Sequence, residues 1–74
     1  MAEKEGLTAL ATLVAEHNVR VLSVGYRRTR AGVPQCDLDV RMGAKHGKFS
    51  GWGATADEAL AEAVEAVRTR WGVG

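Results

Sequence analysis

With a single cysteine, Cys36, the chain has no partner for an internal disulfide, which fits a reducing compartment. No apolar run approaches the ~20 residues that span a bilayer. The opening Met-Ala-Glu-Lys-Glu-Gly lacks the basic-then-apolar layout of a secretory signal. These features read as a cytoplasmic protein that does not engage a membrane. An excess of either charge is lacking too: the net charge is +1, which argues against a generic nucleic-acid coat. No repeat, linker or low-complexity segment interrupts the 74 residues, so 1–74 is one domain near the lower end of what folds alone. Such a chain has no room for a separate catalytic domain, and association with a partner would add to its stability.

The charge that is there is unevenly placed. Residues 19–53 carry Arg20, Arg27, Arg28, Arg30, Arg41, Lys45 and Lys48 against Asp37 and Asp39, a net +5, while the segments before and after carry −2 each. A basic middle between acidic flanks is a candidate anion-binding region.

The clearest local signal is Gly51-Trp52-Gly53-Ala54-Thr55-Ala56-Asp57-Glu58. Gly53 frees the backbone to turn. Thr55 can cap a helix, and Glu58, three residues later, can reach back to the Thr55 N–H. The helix so begun runs over about 55–71, with Ala56, Leu60, Ala63, Val64, Val67 and Trp71 as its apolar stripe, acids in its first turns and Arg68 and Arg70 in its last. Trp71 is expected to close the core against the first helix. Earlier in the chain, Leu7, Leu10, Ala11 and Val14 make one face of a helix over about 2–17, which Asn18 ends. Three strands follow, over about 19–28, 35–42 and 47–52. In the first, Leu22, Val24 and Tyr26 share a face while Val19 and Val21 take the other, an irregularity that a bulge or two-sided burial explains. The second alternates cleanly, with Cys36, Leu38, Val40 and Met42 inward and Gln35, Asp37, Asp39 and Arg41 outward.

Short loops make the strands a meander. The expected fold is therefore α+β, a two-layer sandwich in the order α-β-β-β-α. Its three-stranded antiparallel sheet carries both helices on one face.

On this layout Arg27, Arg28 and Arg30 crowd the first hairpin tip, and Lys45, His46 and Lys48 the second, at opposite ends of the sheet. The arginines read as an anion-binding tip or as solubilising charge. Asp37, Asp39, Arg41 and Lys48 read as a salt-bridged wet face. Phe49 and Trp52 point to opposite sides of the third strand. Trp52 either stands on the open face, as a contact hot spot or a base-stacking platform, or packs against the helices if the glycine-rich strand bends.

Enzyme chemistry finds little support. His17 and His46 fall near one end of the sheet without a third ligand at sensible spacing, so no metal site is expected. Cys36 faces the core as an inert thiol, Asp37 and Asp39 lie on an open sheet rather than in a pocket, and Gly51-Trp52-Gly53 has neither the Lys nor the spacing of a phosphate loop. No catalytic residue and no cofactor is assigned.

The α-β-β-β-α order over nearly the whole chain resembles the double-stranded RNA-binding domain. That resemblance implies the fold and a basic first hairpin loop, here Arg27, Arg28 and Arg30. The second helix opens Thr55-Ala56-Asp57-Glu58, acids where that family places lysines, so double-stranded RNA binding does not follow. Residues 53–63 look like the strand-to-helix junction of HicB-type antitoxins. The run Lys48-Phe49-Ser50-Gly51-Trp52-Gly53 leading into that helix looks like small accessory proteins of actinobacterial phages.

Two functional expectations result. The first is a non-enzymatic interaction module that binds a protein partner, itself included as a homodimer, through the third-strand edge with Trp52, Lys48 and Ser50. The alternative is a nucleic-acid binder using Arg27, Arg28, Arg30 and Arg41.

Overall fold

The structure, a computed structural model, describes residues 5–73. Its elements are α1 (Gly6–His17), β1 (Arg20–Arg28), β2 (Pro34–Met42), β3 (Lys45–Trp52) and α2 (Ala56–Trp71). The strands pair antiparallel in the order β1-β2-β3 and both helices lie on one face, the α+β sandwich expected. Residues 2–4, expected to open α1, lie outside the described residues.

Local chemistry accounts for the boundaries. Asn18 ends α1 in the left-handed conformation (φ 53°). The Thr55 hydroxyl accepts from the Glu58 N–H at 3.1 Å, as in a capping box, but the Glu58 carboxylate reaches back to the Ala54 N–H, also at 3.1 Å, rather than to Thr55. Gly72 (φ 65°) closes α2, and its N–H bonds back to the Arg68 carbonyl. The turn between β2 and β3 is tighter than expected. It is Gly43-Ala44 alone, with positive φ only at Gly43, the pattern of a II′ hairpin, so Lys45 and His46 belong to the ladder rather than to a loop.

The core forms between the helices and β2. Leu13, Cys36, Leu38, Val40, Ala59, Leu60, Ala63, Val64 and Val67 are all buried in it, together with Val19. Two close approaches set its thickness. At Gly51 a Cβ would run into the Ala59 carbonyl and the Ala63 nitrogen of α2, so only glycine lets the helix lie this near β3. At Gly6 a Cβ would meet the Asp57 carbonyl and the Leu60 side chain, which draws α1 against α2.

That second contact turns α1 away from the orientation its apolar stripe predicts. Gly6 and Leu13 are buried and Leu10 is half-buried. Leu7 is 70% exposed, Val14 38%, and Ala11 is exposed as well. In α2, Ala56 is exposed and Ala59 takes its place in the stripe. Trp71 packs against the core and edge-on to Phe49 of β3, with centroids 5.4 Å apart and planes at 89°.

A bulge between Val21 and Ser23 resolves the irregularity of β1. Val21 stands opposite Val40, Val24 opposite Leu38 and Tyr26 opposite Cys36, so all three share the helix side of the sheet. Leu22, expected to share a face with Val24 and Tyr26, falls in the bulge.

Candidate functional site

The sheet's other face carries no helix. Across it the register sets out rows of side chains: Arg27, Gln35 and Trp52; Gly25, Asp37 and Ser50; Ser23, Asp39 and Lys48; Arg20, Arg41 and His46. Trp52 stands on this open face, 51% exposed, which settles the alternatives left by the sequence.

The first two rows are joined by hydrogen bonds. The Trp52 indole N–H donates to Gln35 Oε1 at 3.0 Å. The Gln35 amide in turn donates to Asp37 Oδ1 at 2.8 Å. Ser50 Oγ donates to the same oxygen, also at 2.8 Å. Arg27 Nε lies 3.2 Å from Asp37 Oδ2. Gln35 is only 7% exposed, although it sits on the outer face. The result is a large aromatic ring held in place by its own polar edge, with a guanidinium in the same row. Tryptophan and arginine are the side chains over-represented where interfaces concentrate their energy. Beside this row lies an open depression of ≈ 490 Å³, lined by Tyr26, Arg27, Arg28, Pro34, Gln35 and Ala54–Ala56.

Asp37 is the hub. The amide of Gln35 and the hydroxyl of Ser50 hold its carboxyl below the ordinary aspartate value, with Arg27 adding to them and partial desolvation opposing. A carboxyl depressed in the folded state stabilises the fold above its unfolded pKa and loses that contribution as pH falls through its folded pKa. Denaturation midpoints measured from neutral pH down to about pH 3 are therefore expected to fall less steeply for Asp37→Asn than for the parent chain. Equal slopes would remove Asp37 from the acid response.

The other candidates are placed as follows. Arg28 Nη1 donates to the Gly32 carbonyl at 3.1 Å, inside a loop that Thr29 closes through its bonds with Val33 and Gly32. Arg30 is exposed in the same loop. Arg41 stands at the other end of the sheet, so it does not join the hairpin arginines. Asp39 is bound by His46 at 2.7 Å, not by Arg41 or Lys48. Among the described residues neither Arg41 nor Lys48 has a carboxylate partner.

Two features escaped the sequence reading. By alternation Gln35 belongs to the wet face, and only its cross-strand position opposite Trp52 shows its bracing role. Arg20 gave no signal beyond its charge, yet the register sets it directly opposite Arg41.

Burial, then the neighbouring Asp37 carboxylate, pushes the Cys36 thiol up and keeps it protonated. No three His, Cys, Asp or Glu side chains among the described residues gather to hold a metal ion. No helix among them is long and apolar enough to cross a membrane. No protein-family model matches the chain, and no curated protein matches it.

Proposed function

We propose that the protein is a non-enzymatic interaction module that engages a protein partner through the open face of its sheet, with Trp52 as the anchor at one corner, Arg27 in its row, and Ser50 and Lys48 following along β3. The observation that carries this reading is the braced exposure of Trp52: half its surface is in water while its indole N–H is tied through Gln35 to Asp37. A ring whose orientation is already fixed loses little freedom on binding, which favours a specific contact over a sticky one. A cytoplasmic setting, and an accessory role on a host or phage protein, fit the resemblance of residues 48–53.

Trp52→Ala tests it. The side chain leaves the outer face without opening the core, so the fold should persist while capture of a discrete protein from nuclease-treated bacterial lysate falls at least about tenfold. Capture equal to that of the parent chain would contradict the reading.

A second reading, nucleic-acid binding, has one observation in its favour. Arg20, Arg41 and His46 form a cross-strand row in which like charges face each other without a carboxylate between Arg20 and Arg41, an arrangement that costs stability unless an anion bridges it. Recovery of nucleic acid that falls steeply with salt, and is lost when Arg20 and Arg41 are replaced, would favour it over the protein-partner reading.

A further inference from the structure

Five of the large exposed hydrophobic side chains, Leu7, Val14, Leu22, Val24 and Tyr26, belong to α1 and β1. They gather for a topological reason. Gly51 sets α2 against β3, and Gly6 sets α1 against α2 on the flank that carries Asp57 and Leu60. α1 leads directly into β1, and its start packs on the first turn of α2, where Ala54–Ala56 share a depression with Tyr26 of β1. α1 therefore runs along the β1 side of the helix layer, with Leu7, Ala11 and Val14 on its exposed face. Below it, Val24 and Tyr26 continue the row of core residues from Leu38 and Cys36, yet they are 37% and 51% exposed. This is core-type surface without a cover, next to an edge strand whose outer backbone groups are unpaired.

We propose that a second copy of this chain covers it, the two β1 strands pairing antiparallel about a two-fold axis near Val24. The surface suits itself. Val24 meets its own copy across the axis, Ser23 meets Gly25, and Leu22 meets Tyr26. β1 pairs only with β2, so its other edge is free along the sheet plane. The same register sets Arg20 opposite Arg28 of the second copy, at the ends of the ladder and beyond its apolar stretch. Arg27 is drawn to Asp37 and Arg28 to the Gly32 carbonyl, which leaves an uncharged ladder over residues 22–26. The α1 stripes then close over the junction, joining both copies into one sheet with all helices on one face. The five side chains leave on the order of 400 Å² in water. With Ala11 and the remaining β1 backbone added, each copy would bury roughly 500–600 Å², so the pair clears the ~1,000 Å² in total that a specific interface needs. An isologous contact of this kind uses the same patch on both copies. It lies on the opposite edge from Trp52, so it stands or falls apart from the proposed function.

Sedimentation velocity over a dilution series decides it. The parent chain is expected to sediment as a dimer that dissociates on dilution. Val24→Lys places two ammonium groups face to face at the axis and should weaken dimerisation at least about 100-fold. Leu7→Glu, on a different element, should weaken it in the same direction, and circular dichroism on both variants checks that they fold. If Val24→Lys fails to fold, Leu7→Glu decides alone. A chain that is monomeric at every concentration overturns the proposal. So does a dimer that survives both substitutions, or one that Trp52→Ala abolishes while Val24→Lys does not.

Discussion

Gly51→Ala is expected to cost about 3 kcal/mol or more, from one added methyl group. Overpacking a core costs about 1–3 kcal/mol when side chains can shift aside. Here the atoms in the way are the Ala59 carbonyl and the Ala63 nitrogen, which belong to the α2 backbone, so the whole helix must lift from β3. Lifting it also loosens Val64 and Val67, which are fully buried. A domain of this size has about 4–11 kcal/mol of stability in all, so the variant should lie close to its unfolding threshold. Urea denaturation followed by circular dichroism gives the number. A midpoint shift worth less than about 1 kcal/mol would mean that α2 does not approach β3 as described.

Leu13→Ala should be the most damaging substitution in α1, and Leu7→Ala nearly silent, when both are measured at concentrations where the chain is a monomer. Leu13 is fully buried in the core, and truncating such a leucine costs about 2–5 kcal/mol through lost burial and the cavity left behind. Leu7 is mostly in solvent, where substitutions stay within about 0.5 kcal/mol. The apolar stripe predicts the reverse order, because Leu7 belongs to it and Leu13 does not. The comparison therefore tests how α1 is rotated, and with it the existence of the uncovered flank on which the dimer rests. Equal costs at the two positions would contradict the packing of Gly6 against α2.

Both predictions touch the limit of what the sequence made legible. Element order, the Asn18 stop and the Thr55–Glu58 cap were readable because each depends on a few neighbouring residues. The inward face of β2 was readable because one face is packed and the other wet, and a period of two leaves no choice. The rotation of α1 was not. Leu7, Ala9, Leu10, Ala11, Leu13, Val14 and Ala15 put apolar groups on most of its surface, and the face that packs is chosen by a tertiary contact at Gly6. The run Gly43-Ala44-Lys45-His46-Gly47 reads as one turn between two glycines, whereas Gly43 alone supplies the left-handed residue the hairpin needs.

The site was legible in part. Trp52, Ser50 and Arg27 could be named as residue types with a use, and strand parity set Trp52 opposite in sense to Phe49. Their union could not be read, since it passes through Gln35 and Asp37 on another strand and depends on register. Trp71 shows the same limit, its place beside Phe49 following from where α2 crosses β3 rather than from its position in a stripe.

The two tryptophans make the most direct test, because each indole N–H gives its own NMR signal and they lie on opposite sides of the sheet. The measurement is the amide and indole spectrum of the nitrogen-15-labelled chain in unlabelled, nuclease-treated bacterial lysate, against the same spectrum in buffer. The account predicts that the Trp52 indole and the Gln35 side-chain amide shift or broaden while the Trp71 indole stays in place. A Trp52 signal that remains unmoved while signals elsewhere respond would contradict it.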